Sequence, residues 1–287
     1  MKKIGFIDFF LDEWHANNYP AWIRDDCAAN GRDVDVAYAW AETSRPGELD
    51  TASWCKKFNV EALGSLEEVV QKSDYIIVLS PDFPENHEKL SRIPLMSGKP
   101  VYVDKTFSPD LKSGVRMFEL ANQFRTPMFS SSALRFTKEL AGYPDNKVNH
   151  DSLEFVATLG PGTYQNYSVH QLEMIVSLLG PGATRVKSLS SEHGRLLAAE
   201  YPGGQRASML QMPAAPFQVS MQLKNGEGVF ISECSDIFTR MIHSMLDFFE
   251  TGKVPAPKEE TLAIMALIEA GRKALASYDT WVKVEQA

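Results

Sequence analysis

The chain has 287 residues, of which 44% are hydrophobic, and a formal net charge of −8. This length and hydrophobic content suffice for one large or two modest domains, and we predict two. The negative charge repels phosphate backbones and no basic cluster offsets it, which argues against a nucleic-acid partner. No apolar run approaches the roughly 18 residues needed to span a bilayer.

The amino-terminal segment does not continue as a signal peptide. After the basic start, Asp8, Asp12 and Glu13 interrupt the apolar stretch and no cleavage-like site follows. We therefore expect a cytoplasmic protein without a membrane partner. The cysteines are far apart, lack metal-ligand spacing and are expected to be reduced core thiols: Cys27, Cys55 and Cys234. With no cluster of His or Cys residues, the sequence predicts no metal site.

The first half of the chain alternates short apolar runs with helical stretches, which is typical of βαβ units around a parallel sheet. The expected strands are residues 4–10, 34–40, 74–80, 99–103 and 127–131. The expected helices are residues 16–30, 50–58, 65–71, 86–97 and 111–124. We predict a Rossmann-type, nucleotide-binding-like domain over residues 1–130.

The second half has longer runs of alternating polar and apolar residues. The expected strands are residues 195–201, 206–212, 217–223 and 228–233, with a further strand from Ser152. Asn225-Gly226 between two such runs is a strong hairpin signal. Two helices, 236–250 and 259–277, close the chain. The sequence predicts an α/β domain with an open, mainly antiparallel sheet over residues 131–287, for substrate binding and oligomerisation.

The segment 99–106, Lys-Pro-Val-Tyr-Val-Asp-Lys-Thr, ends a buried-strand pattern on Asp104 and Lys105. Ligands of open parallel sheets bind outside the carboxyl ends of the strands, so both residues are expected at the reactive edge. The segment resembles the Lys-Pro-Val-x-x-Glu-Lys-Pro signature of the Gfo/Idh/MocA oxidoreductases, with Asp104 and Thr106 in place of the glutamate and second proline. The alternative is a surface lysine at a strand end.

Further segments resemble the same family and extend the resemblance over nearly the whole chain: 74–81, Asn86-His87, 167–173, 178–181, 245–253, 268–270 and 281–282. The resemblance implies a small-molecule substrate with a carbohydrate-like or polyol hydroxyl, an NAD or NADP cofactor, and a homodimer or homotetramer. It places the following residues on the nicotinamide half of the cofactor site: Ser80, Pro81, Asn86, Asp104 and Lys105.

The first loop departs from the family pattern. Where the family carries Gly-x-Gly-x-x-Gly, this chain has Asp8, Phe10 and Glu13. Glycines let the backbone approach a pyrophosphate and place it on a helix N-terminus, whereas these side chains block the approach. Asp8, Asp12 and Glu13 would also repel the diphosphate. Trp40 replaces the acid that takes the ribose hydroxyls. The departures argue against ordinary, tight NAD(P) binding. They are compatible with a loose or rearranged mode of dinucleotide binding.

The resemblance assigns catalysis to Lys105, which would bind or protonate the reacting oxygen, and to His170, which would relay the proton. If residues 168–179 are helical and the turn extends back to Asn166, then Asn166, His170 and Glu173 form one stripe. Asn166 replaces the family's acid, so the imidazole loses a charged partner. The alternative for His170 is a satisfied core histidine.

Two further groups are candidates for substrate binding. Asp12 and His15 lie in a polar, aromatic-rich loop that could bind a polyol; alternatively Asp12 or Asn17 caps a helix, with the neighbouring Trp14 and Tyr19 packed inward. Arg135, which could clamp a carboxylate or phosphate or pair with an acid, is the other candidate, together with Glu173.

The sequence therefore predicts an oxidoreductase acting on a carbohydrate-like or polyol hydroxyl with a nicotinamide cofactor. One alternative is a pseudo-oxidoreductase that has lost normal NAD(P) binding and serves as a small-molecule binding or sensor protein. Another is a lyase or epimerase that uses the same acid/base pair without net redox.

Overall fold

The structure is a computed structural model that describes residues 1–141, 150–277 and 279–287. The chain divides into two compact units. The first contains Met1–Ser131 and Met241–Pro257, and the second contains Ser132–Arg240 and Lys258–Ala287. No helix among these residues is long and apolar enough to cross a membrane.

The first unit is built on a six-stranded sheet. Its strands are β1 (Lys2–Asp8), β2 (Val34–Ala41), β3 (Glu61–Ala62), β4 (Tyr75–Val78), β5 (Val101–Val103) and β6 (Met128–Phe129). Its helices are α1 (Trp14–Asn30), α2 (Thr51–Phe58), α3 (Leu66–Lys72), α4 (His87–Leu95) and α5 (Leu111–Gln123), with a 3₁₀ turn at Pro84–Asn86.

All strands of this sheet are parallel, in the order β3-β2-β1-β4-β5-β6. The central strands are near-continuous apolar runs because both of their faces are buried. The strand order reverses between β1 and β4, the position at which doubly wound sheets bind their ligands. This is the predicted Rossmann-type sheet.

The helix boundaries follow from local capping. Helix α1 ends at Gly31, which adopts a φ of 66° and donates its N–H to the carbonyl of Cys27. Asp50 and Asp110 cap α2 and α5 by accepting the N–H of Ser53 and Ser113, respectively.

The second unit is built on a seven-stranded sheet. Its strands are β7 (Leu153–Gly160), β8 (Arg185–Ser190), β9 (Arg195–Glu200), β10 (Arg206–Gln211), β11 (Gln218–Leu223), β12 (Gly228–Ile231) and β13 (Val282–Lys283). The remaining helices of the chain are α6 (Lys138–Ala141), α7 (Tyr164–Leu179), α8 (Ile237–Thr251) and α9 (Lys258–Ala276), with 3₁₀ turns at Ala133–Phe136 and His150–Ser152. Helix α8 starts in the second unit and continues into the first.

The order of this sheet is β12-β11-β7-β10-β9-β8-β13, with only the β7–β10 pair parallel among the pairs described. The predicted hairpin joins β11 to β12, and Gly226 adopts a φ of 91° in its turn. Helices α7 and α9 pack on one face. Leu189 and Phe230 alternate with buried neighbours and are 57% and 65% exposed. The predicted open, mainly antiparallel sheet is confirmed, whereas β3, β8 and β13 were not predicted.

Candidate functional site

The parallel sheet presents Asp104 and Lys105 at its carboxyl edge, directly after β5. Asp104 is fully buried, and its backbone N–H donates to the carbonyl of Val78 at 2.9 Å. The Tyr102 hydroxyl lies 3.0 Å from Oδ1 of Asp104 and 3.1 Å from the carbonyl oxygen of Ser131. A residue of β5, Tyr102, therefore helps to position the Asp104 carboxylate.

His15 on the first turn of α1 pairs with Asp104 through Nδ1 and Oδ2. Both side chains are buried, and the imidazole stacks on the ring of Tyr19 with centroids 5.2 Å apart. Burial alone would raise the pKa of Asp104, but the charge and hydrogen bond of His15, with Lys105 and His87 nearby, lower it to about 2. The carboxylate is thus ionised at neutral pH, and it orients the imidazole.

Lys105 is half-buried, and its Nζ donates to the carbonyl oxygen of Pro81 at 3.3 Å. This contact joins the ends of β4 and β5. Ser80, just after β4, is buried with a φ of 89°, a left-handed conformation that costs a serine roughly 1–3 kcal/mol and that clusters at functional sites. Asn86 lies at the N-terminus of α4 and is also half-buried. The five residues predicted for the nicotinamide half therefore all lie in the first unit.

His87 is a member of this region to which the sequence assigned no role in the site. Its side chain is fully buried, and Nδ1 lies 3.0 Å from the carbonyl oxygen of Phe107. Burial lowers the pKa of His87, which favours the neutral imidazole. It therefore supports the loop after Lys105. Its place directly after Asn86, at the start of a helix, was the signal that could have identified it.

The first loop does not form a tight turn directly after β1. Its backbone first continues to hydrogen-bond with the segment after β2. The N–H of Glu42 donates to the carbonyl of Asp8 at 3.1 Å, and the N–H of Thr43 donates to that of Phe9 at 2.9 Å. The rings of Phe9 and Phe10 pack against Phe83. Aromatic side chains and a continued strand pairing thus stand where the family has its glycine turn.

Helix α1 is capped by Glu13. Its carboxylate accepts the N–H of His15 at 2.7 Å and the N–H of Ala16. Asp12 instead accepts from the N–H of Leu49 and from the amide of Asn17, both at 2.9 Å, and these hydrogen bonds lower its pKa. An acidic residue of the loop therefore caps the helix, as the alternative predicted, but the cap is Glu13 and not Asp12 or Asn17.

The aromatic residues of this loop also differ from the capping alternative in one respect. Tyr19 is fully buried, as that alternative expected, whereas Trp14 is 52% exposed. The helix therefore buries one aromatic ring beside His15 and leaves another at the surface.

The diphosphate of a nicotinamide dinucleotide does not fit the first loop in the usual position. The N–H groups of His15 and Ala16, in the first turn of α1, already donate to the carboxylate of Glu13. Asp8 is buried at the end of β1, and its Oδ2 has no hydrogen-bond partner within the part of the chain that the structure describes. Trp40 lies half-buried on β2, where an acid would bind the ribose.

The second unit carries its own polar cluster on α7. Nδ1 of His170 lies 2.7 Å from Oγ of Ser132, and the imidazole packs edge-on against the rings of Tyr167 and Phe217. Asn166 is exposed one turn earlier. Apolar residues of the same helix are buried: Leu172, Ile175, Val176 and Leu179.

Arg135 is held between two acids of the same unit. Its Nε donates to Oε1 of Glu173 and its Nη2 to Oε2 of Glu260, both at 2.6 Å. Burial opposes the charge on Arg135, but the two carboxylates raise its pKa. Oε2 of Glu173 accepts the N–H of Ser132 at 3.1 Å. Arg135 and Glu173 thus position the segment that contacts His170, and their substrate-binding role stays a prediction.

The described residues contain no group of three or more His, Cys, Asp or Glu side chains arranged to hold a metal ion. The three cysteines are free thiols; Cys27 and Cys55 are buried, and Cys234 is half-buried. Burial raises the pKa of Cys55 and of Cys234 to about 11, which keeps both thiols protonated.

No protein-family model and no curated protein sequence matches this chain. Solved structures do match over almost the whole length. A probable dehydrogenase from Thermotoga maritima has a TM-score of 0.80 at 14% identity and covers 98% of both chains. The UDP-N-acetylglucosamine 3-dehydrogenase of Acidithiobacillus ferrooxidans has a TM-score of 0.74 at 12% identity, covering 96% of this chain and 98% of its own.

An oxidoreductase from Agrobacterium radiobacter, solved with NAD+, L-tartaric acid and magnesium, has a TM-score of 0.73 at 12% identity and covers 99% of this chain and 98% of its own. The chain therefore has the two-domain fold of these dehydrogenases and oxidoreductases. The fold expected from the Gfo/Idh/MocA resemblance is confirmed.

Proposed function

We propose that this protein is a small-molecule oxidoreductase that acts on a hydroxyl or carbonyl group of a carbohydrate-like or polyol substrate at the carboxyl edge of its parallel sheet. The observation that carries the proposal is the placement of Lys105 beside the buried His15–Asp104 pair. The fold supports it, because the matched structures are dehydrogenases and oxidoreductases.

In this proposal Lys105 donates a hydrogen bond or a proton to the reacting oxygen. Its ammonium group is on a strand end and is tethered to the carbonyl of Pro81, so little rotamer freedom is left to lose on binding. The carboxyl group of Asp104, the neighbouring residue, is ionised at neutral pH. His15, oriented by Asp104, can bind a second substrate oxygen.

A nicotinamide, when bound, would supply the hydride transfer that such a reaction needs. The residues that would hold its ring end are at the edge of the sheet: Ser80, Pro81, Asn86, Asp104 and Lys105. The diphosphate end does not fit the N-terminus of α1 in the usual mode, because Glu13 already accepts the N–H groups of His15 and Ala16.

A second candidate function is favoured by the capping of α1 by Glu13. In that case the protein is a lyase, an epimerase or a small-molecule sensor that needs no dinucleotide. Lys105 would then serve as an acid/base group or as a binding group at the same edge of the sheet.

A substrate screen distinguishes the two candidate functions. Polyols, aldoses and sugar acids are incubated with the protein, once with NAD or NADP and an absorbance readout, and once without dinucleotide and an NMR readout. Turnover only with a dinucleotide supports the oxidoreductase. Turnover without one, or binding without turnover, supports the second candidate.

Lys105→Met tests the shared part of both candidates, with Lys112→Met at an exposed position of α5 as the matched control. We expect turnover of Lys105→Met to fall by about 10² or more, the scale of a positioned acid or base, with the free energy of unfolding little changed. If Lys105→Met retains the turnover of Lys112→Met, the assignment of Lys105 is wrong.

A further inference from the structure

The N-terminus of the helix after the first strand is the position at which doubly wound sheets receive a phosphate. Helix α1 follows β1 and lies beside the reversal of the strand order. Two N–H groups of its first turn, those of His15 and Ala16, donate to the carboxylate of Glu13. The chain thus places its own anion where a diphosphate would be bound.

We propose that Glu13 is an internal anion that fills the phosphate position of α1, so that the part of a ligand facing this helix is uncharged or cationic and a diphosphate is rejected. This inference concerns anion binding by the loop and does not rest on the proposed function. It disagrees with the cofactor mode that the fold implies.

The neighbouring charges support the same reading. Asp8, Asp12 and Glu13 put three acids into six residues of the loop. The guanidinium of Arg45 lies 4.1 Å from the centre of the Phe10 ring, where it binds the aromatic face and not the helix N-terminus. Burial raises the pKa of Asp8 well above its usual range and favours its neutral form, so Asp12 and Glu13 are the acids of the loop whose charge opposes an approaching diphosphate.

Part of the backbone of the loop is already engaged in hydrogen bonds. Phe9 donates its N–H to Oδ1 of Asp8 at 2.6 Å, and Glu13 donates its own to the carbonyl of Leu11 at 2.8 Å. The carbonyls of Asp8 and Phe9 accept from the segment after β2. A ligand that used the N–H of Phe9 or of Glu13 as a donor would have to break one of these hydrogen bonds.

Burial raises the pKa of Glu13 to about 7, against the effect of His15 and of the two N–H groups. The titratable groups that face Glu13 are Asp8 on β1, His15 and Tyr19 on α1, and Asp104 after β5. At pH 8 the carboxylate is mostly ionised, so that pH is the right condition for the test.

The test measures binding of inorganic pyrophosphate at pH 8 by calorimetry to the full chain and to three variants. Glu13→Ser removes the charge and keeps a preferred helix cap, and Glu13→Gln removes the charge and keeps the length of the side chain. Asp110→Asn makes the same kind of change at the cap of α5 and is the matched control. Thermal unfolding confirms that each variant is folded.

We expect both Glu13 variants to bind pyrophosphate at least tenfold more tightly than the unmodified protein, and Asp110→Asn to bind no more tightly. A single charge about 4–5 Å from the ligand is worth a factor of this size or more at an effective dielectric constant of about 20. Equal affinity of the unmodified protein and the folded Glu13 variants would overturn the proposal. So would an equal gain in Asp110→Asn.

Discussion

At the scale of single residues, Asp104 and Glu13 show how one kind of group acquires opposite properties within a single site. Asp104 is fully buried, yet the charge and hydrogen bond of His15 lower its pKa to about 2. Glu13 faces other carboxyl groups, and burial raises its pKa to about 7. Around neutral pH the site therefore holds one fixed carboxylate and one that titrates.

The titration of Glu13 makes a prediction about stability. Its pKa is about 7 in the folded protein and near the ordinary glutamate value of 4.5 in the unfolded chain, so the folded state binds more protons between these values. Stability must then fall as pH rises through that window. At about 1.4 kcal/mol per pKa unit, we expect a loss of about 2–3 kcal/mol between pH 5 and pH 8 from this group.

Urea unfolding of the unmodified protein, of Glu13→Gln and of Asp110→Asn at pH 5 and pH 8 measures this loss. We expect the fall in stability to be smaller by that amount in Glu13→Gln and unchanged in Asp110→Asn. The pKa of the Asp110 carboxyl is lowered, so that group titrates below the window. Parallel pH dependence in the unmodified protein and Glu13→Gln would show that Glu13 does not titrate there.

At the scale of elements, α7 and α9 pack so closely that one position admits only glycine. A Cβ atom on Gly271 of α9 would lie 2.0 Å from the hydroxyl oxygen and 2.9 Å from Cζ of Tyr164. Tyr164 is buried on α7, and its hydroxyl donates to the carbonyl of Ile268 at 3.1 Å, so the ring cannot move away cheaply.

We therefore predict that Gly271→Ala destabilises the protein by about 1–3 kcal/mol, although alanine is the better helix former by about 1 kcal/mol. Gly64→Ala is the control, because its new Cβ would meet nothing nearer than Oε2 of Glu68 at 3.5 Å. Chemical denaturation measures both. A Gly271→Ala variant as stable as Gly64→Ala would mean that the two helices can separate slightly without cost.

At the scale of the whole molecule, sequence patterns predict the helices and strands better than the long-range contacts between them. Hydrophobic periodicity predicts the parallel sheet and both closing helices, because each pattern lies within one element. The inclusion of Met241–Pro257 in the first unit could not be predicted. It depends on ion pairs of Arg32 with Asp247 and Glu250 and on stacking of Tyr75 with Phe249, which join positions far apart in the chain.

The candidate site likewise has residues that the sequence predicts and contacts that it does not. Asp104 and Lys105 are predictable because they end a buried strand, and strand ends meet at one edge of the sheet. The pairing of His15 with Asp104 spans 89 residues and leaves no local pattern. The cap of α1 was missed because glutamate is not among the residues that caps favour. These two unforeseen contacts are the ones that distinguish this site from that of an ordinary dinucleotide-binding sheet.

The central claim is that a dehydrogenase fold here carries a first loop that rejects the dinucleotide diphosphate. The most direct test is the thermal stability of the unmodified protein with NAD, NADH, NADP or NADPH at pH 8, since a ligand that binds only the folded state stabilises it by RT ln(1 + [L]/Kd). We predict at most a marginal rise in Tm at about 1 mM ligand. A rise equivalent to about 4 kcal/mol, which corresponds to a Kd about a thousandfold below the ligand concentration, would contradict the account.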